Sequence, residues 1–78
     1  MNEETQLEFI EILESIRHKF KPKSYRFLLA ESLVSYHYTF TKSATEIKNY
    51  TNEILEEKNI NAVSLGFIRN IIEEKQED

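Results

Sequence analysis

This sequence predicts an all-α fold, a compact bundle of about four helices forming a single domain over residues 1–78. Three observations point there. Apolar residues recur at three- and four-residue steps along most of the chain. Gly66 and Pro22 are the only glycine and proline, so few breaks interrupt that pattern. Residues 35–41 alternate polar and aromatic side chains as a short strand would, but no second good strand exists to pair with them. With 78 residues, 40% of them hydrophobic, the chain is too short for several domains and too apolar for outright disorder. A core of this size stabilises only marginally, so a partner or a second copy is an expected further source of stability.

The first helix is expected over about residues 4–19, with Thr5 and Glu8 as a capping box and Leu7, Phe9, Ile10, Leu13, Ile16 and Phe20 at helical spacing. Pro22 lacks an N–H and disfavours helical backbone at Lys21, so a turn should follow. Ser24 then caps a second helix over about 24–40, apolar or aromatic on nearly every side (Phe27, Leu28, Leu29, Leu33, Val34, Tyr36, Tyr38, Phe40), as suits the centre of a fold. Ser43 with Glu46 makes the clearest capping box, opening a third helix over about 44–58 with Ala44, Ile47, Tyr50, Ile54 and Leu55 inward and Asn59 at its end. Asn61 or Ser64 caps a fourth helix over about 62–74, striped by Leu65, Ile68, Ile71 and Ile72, and the last residues from Gln76 to Asp78 fray.

The formal charge is −4, from 14 Asp/Glu against 10 Lys/Arg, but it is unevenly laid out. Residues 1–14 hold five acids and no base, 15–30 hold five bases and no acid, and 53–78 hold seven acids against three bases. The basic block is Arg17, Lys19, Lys21, Lys23 and Arg26, interleaved with His18, Phe20, Tyr25 and Phe27. Such a block grips phosphates and stacks on bases, or docks on an acidic protein surface. Dipole complementation at the end of the first helix accounts for Arg17 and Lys19 but reaches only about one turn, which leaves Lys23 and Arg26 for another role.

Across the third and fourth helices the spacing is that of a helix-turn-helix, with a turn at Asn59 to Val63. The wider stretch from Lys21 to Ile72 resembles the winged-helix, DNA-binding half of the ferric uptake regulator family. The matching residues are Pro22 and Arg26, Ser43-Ala44-x-Glu46-Ile47, and Val63-Ser64-Leu65 at the start of the would-be recognition helix. The resemblance implies DNA contacts from the second helix of the pair. Here these would be Ser64, Arg69 and Asn70 on bases and Lys21, Lys23 and Arg26 on phosphates. Arg69 and Asn70 stand where that family carries a Tyr-Arg pair, and no residues follow Asp78 for a wing or a metal-binding domain, so metal sensing is not expected.

No catalytic constellation, cofactor or metal site is expected. There is no cysteine, which excludes thiol catalysis and iron–sulfur ligation. His18 and His37 sit in no zinc-binding spacing, and one glycine cannot build a phosphate-cradling loop. His37, flanked by Tyr36 and Tyr38, is more simply a partly buried ring than a general base. Adjacent carboxylates such as Glu56 and Glu57 splay apart on a helix and read as a solvated face. The start of the chain has no signal-peptide pattern and no apolar run long enough to span a bilayer, so a cytoplasmic location is expected.

The function expected is that of a small non-catalytic regulator that binds a protein partner, as an inhibitor, adaptor or antirepressor of the kind phages and plasmids encode. Lys23 and Arg26 are its charged rim and Phe67 its anchor; nine Phe and Tyr are many for so small a core to hide. A helix-turn-helix transcriptional regulator is the alternative. An acidic immunity or antitoxin protein that masks a basic site with residues 1–14 and 53–78 is a second one.

Overall fold

Pro22 opens a helix. Its fixed φ suits the first helical position, where the missing N–H costs nothing, and the extended backbone it imposes on Lys21 (φ −69°, ψ 148°) supplies the entry turn. A computed structural model describes residues 3–77 of the chain. It contains α1 (Glu3–Ser15), a 3-10 turn (Arg17–Lys19), α2 (Pro22–Tyr38), α3 (Ala44–Glu57) and α4 (Leu65–Glu77). The described residues include no strand: residues 35–38 continue α2.

α2 is the central helix, and α1, α3 and α4 each pack on it; α3 and α4 also pack on each other. Its buried side chains are Tyr25, Leu29, Ala30, Leu33 and Val34. Ile10 and Leu13 meet them from α1, Ile47 and Leu55 from α3, Val63 from the α3–α4 connection, and Ile68, Ile71 and Ile72 from α4. Each fully buried Leu or Ile contributes roughly 1.5–3 kcal/mol relative to leaving it in water. Thr51 is wholly buried on α3 and its hydroxyl has no hydrogen-bond partner.

Several boundaries differ from those the sequence predicts. α1 already includes Thr5, so Thr5 and Glu8 do not cap it: glutamates suit a first turn, and nothing stops the helix at Thr5. It ends at Ser15, where the Ser15 hydroxyl donates to the Ile12 carbonyl (2.7 Å) and the backbone tightens to i−3 bonds through Phe20. Arg17 and Lys19 therefore lie beyond the last turn of α1. Ser24 lies inside α2 and caps nothing. α2 stops at Tyr38, its end closed by Thr39 and by Lys42, whose ammonium donates to the Tyr38 carbonyl (3.1 Å) over the Tyr38 ring. Tyr50 points outward, 48% exposed, one residue before the inward-facing Thr51. α4 starts only at Leu65 because Ser64 is its cap, and it runs to Glu77, past the end expected at Glu74 and the fraying expected from Gln76; Asp78 lies outside the described residues.

Two ends follow the sequence closely. The Ser43 hydroxyl accepts from the Glu46 amide (3.3 Å), but the Glu46 carboxylate closes the box through Thr41, whose hydroxyl donates to Glu46 (2.7 Å) and accepts from the Ser43 amide (3.1 Å). Asn59 has φ 59°, the left-handed conformation that ends a helix. Ile60 N–H donates to the Leu55 carbonyl (2.9 Å) and Asn59 N–H to that of Glu56 (3.1 Å), the paired bonds of a Schellman motif. Asparagine tolerates this backbone better than alanine and less well than glycine. Asn59→Gly is therefore expected to raise stability by up to about 1 kcal/mol, and Asn59→Ala to lower it by about 1 kcal/mol. Urea denaturation of the three proteins checks this, and equal midpoints would contradict the assignment.

Candidate functional site at the α2 N-terminus and the α3–α4 connection

The first N–H groups of the connection from Lys58 to Ser64 close back on α3, and the peptide groups that follow are met by side chains from elsewhere. Arg26 donates from Nε to the Asn61 carbonyl (2.9 Å) and from its terminal nitrogen to that of Ala62. Asn52 of α3 holds Val63 from both sides, donating to its carbonyl (3.1 Å) and accepting from its amide (2.8 Å). Arg17 donates to the Lys58 carbonyl (3.4 Å).

Glu14, at the end of α1, ties the neighbouring groups together. It accepts from the Tyr25 hydroxyl (2.7 Å) and lies 3.8 Å from both Arg17 and Lys58. The Arg17 guanidinium also rests over the Tyr25 ring, 5.1 Å from its centroid. Burial pushes the Tyr25 hydroxyl well above its usual pKa, and the bond to the Glu14 carboxylate, which needs the protonated phenol, adds to that. Tyr25 therefore stays neutral and donating.

Two of the five bases predicted as a contact block thus turn onto the protein itself. Lys19, Lys21 and Lys23 make no ion pair among the described residues and stand exposed. Lys23 and Phe27, four apart on α2, share one face. The Phe27 ring, 49% exposed, meets Phe67 of α4 edge to face at 5.6 Å. Beside them Phe20, Pro22, Lys23, Tyr25 and Arg26 line an open cleft of about 500 Å³ whose other wall is Asn59 to Asn61.

The predicted trio of Lys23, Arg26 and Phe67 is thereby brought to one side of the molecule, with Arg26 as the tie beneath it and Phe67 half-covered. Phe20 and Phe27 enter the sequence reading as aromatics interleaved in the basic block and as apolar positions of the first two helices, but not among the named partner contacts. The four-residue step from Lys23 to Phe27, which sets a base and an aromatic ring one turn apart on α2, was the available signal. Of the set proposed for DNA, Lys21 is exposed at the cap of α2, and the Ser64 hydroxyl is occupied as the cap of α4, accepting from the Phe67 amide (3.2 Å). Arg69 and Asn70 are exposed, away from the buried Ile68, Ile71 and Ile72. Gly66 is also exposed, and a Cβ there would meet only the Ser64 hydroxyl, at 3.8 Å, so nothing inside the fold requires glycine.

A second aromatic group lies where the end of α2 meets α3. His37 stacks on Tyr50 (centroids 5.1 Å apart, 29° between planes) and meets Tyr36, which in turn meets Phe40. The Nε2 atom of His37 is buried without a partner. Among the described residues no group of three His, Asp or Glu side chains is placed to hold a metal ion, and no helix is long and apolar enough to cross a membrane. In comparisons with family models, curated proteins and solved structures, nothing matches this chain.

Burial lowers the His37 pKa below its ordinary 6.5. Above that value both folded and unfolded chains hold it neutral, and as pH falls through 6.5 the unfolded chain takes up the proton first. Stability should therefore decline from about pH 6.5 downward until the native ring is protonated. His37→Phe is expected to flatten that decline; urea midpoints between about pH 7.5 and 5 measure it, and parallel profiles would exclude His37 as the source.

Proposed function

We propose that this chain is a small non-catalytic regulatory protein that acts by binding a protein partner through the face formed by Lys23, Phe27 and Phe67. The observation that carries this is the half-exposed Phe27–Phe67 pair beside a free lysine. Aromatic rings with a charged rim are favoured where proteins meet. The first turn of α2 carries Lys23 and no acid, the sign its dipole disfavours, so a partner surface with carboxylates would meet both a free cation and the positive end of a helix. Arg26 acts beneath this face as a positioning residue.

One observation favours a second reading, duplex-DNA binding by α4 in the manner of a helix-turn-helix: Arg69 and Asn70 stand exposed beside Gly66, which lets another backbone approach closely. The resemblance to the ferric uptake regulator family belongs with it. Against it, Arg26 is already committed to two carbonyls, and the same helix ends in Glu73, Glu74 and Glu77, whereas duplex binding rests on several free Lys/Arg contacts.

Immobilised protein presented with host lysate tests both. Wild type is expected to retain a protein that Lys23→Glu with Phe27→Ala loses with the fold intact, while Arg26→Ala both weakens retention and lowers stability by about 1–2 kcal/mol. Retention of no protein, together with salt-sensitive duplex binding that Arg69→Ala abolishes, would replace the first reading with the second.

A further inference from the structure

A groove between α1 and the C-terminal half of α2 lies at the other end of α2 from the Lys23–Phe27 face. It measures about 290 Å³, with Ile10, Leu28 and Leu33 among its lining and Phe9 and Tyr36 beside them. Ser32, Ser35 and Thr39 also line it, but each hydroxyl is bonded back to a carbonyl of α2 (2.9, 2.9 and 2.7 Å), so they offer mostly carbon surface. Three residues beyond Phe9 on α1 stands Ile12, 59% exposed, which extends the apolar strip along the outside of that helix.

The charged side chains of α1 and of the groove lining have one sign. α1 carries glutamates and no base, Glu31 lines the groove, and no Lys, Arg or His does. We propose that the groove takes an amphipathic helix of another protein, apolar anchors at three- and four-residue steps entering between α1 and α2 and Lys or Arg flanking them. The acids select that occupant. A second copy docked through α1 would set the same glutamates against each other, and an anionic lipid surface would meet them too. This surface is distinct from the one proposed for function and stands or falls separately from it.

Backbone-amide NMR of the whole chain, titrated with a synthetic Leu/Lys amphipathic helical peptide and with its Leu/Glu counterpart, tests the proposal. The Leu/Lys peptide is expected to move the amides of Phe9, Leu28, Ser32 and Tyr36, and the Leu/Glu peptide to leave them in place. Glu31→Lys and Ile12→Ser, both at positions outside the core, should each weaken binding by roughly tenfold with the fold intact. Equal response to both peptides, no response to either, or shifts centred on Lys23 and Phe27 would overturn it. So would a dimer in sedimentation experiments that Ile12→Ser dissolves, which would assign the groove to a second copy.

Discussion

The position of α4 depends on how the connection before it is held. Between Ile60 and Ser64 the chain crosses the end of the bundle with no helix or strand to pair its peptide groups. Arg26 and Asn52 supply the missing partners, one from α2 and one from α3. Hydrogen bonds of this kind are each worth only about 1 kcal/mol net. Their larger effect is geometric: with Asn61, Ala62 and Val63 fixed, Ser64 caps α4 where Ile68, Ile71 and Ile72 reach the core and Phe67 reaches Phe27. The candidate site is thus a by-product of how the loop is closed.

The same logic runs through Glu14, which joins the end of α1 to Tyr25 of α2 and to Lys58 at the end of α3. Glu14 from the acidic segment and Arg17 from the basic one are neighbours in the fold, 3.8 Å apart. The opposed charge blocks therefore partly answer each other inside the molecule. What they leave over is divided along α2: lysines without partners near its N-terminus, and glutamates around an apolar groove towards its C-terminus. The net charge describes neither surface.

Much of this fold was legible because it is local. The Ser43 cap, the turn at Asn59 and the apolar stripe of α4 are set by residues within a turn or so of each other, and the absence of a strand among the described residues follows from the absence of a pairing segment. Boundaries were less legible where two local rules competed. Pro22 is both a helix breaker and a good first residue, and the second property prevailed. Ser24, a plausible cap by type, was already inside the helix. Tyr50 misled because aromatic character favours burial, yet the neighbouring Thr51 takes the inward position and the Tyr50 ring is left half-exposed, stacked on His37. The roles of Arg17 and Arg26 were not legible at all: their acceptors lie 35 to 41 residues further along the chain, and composition says only that the charges exist.

That separation also bears on the order of assembly. α2 and α3 can form and meet through helical contacts close in sequence, whereas Arg26 finds its carbonyls only once both are in place and the connection has folded back across them. Contacts that close a long stretch of chain are costly to make early. The Arg26 tie is thus expected to form late in folding, and interactions absent from the transition state act mainly by slowing unfolding. On this account the guanidinium that shapes the candidate site contributes to the lifetime of the native state more than to the speed of reaching it.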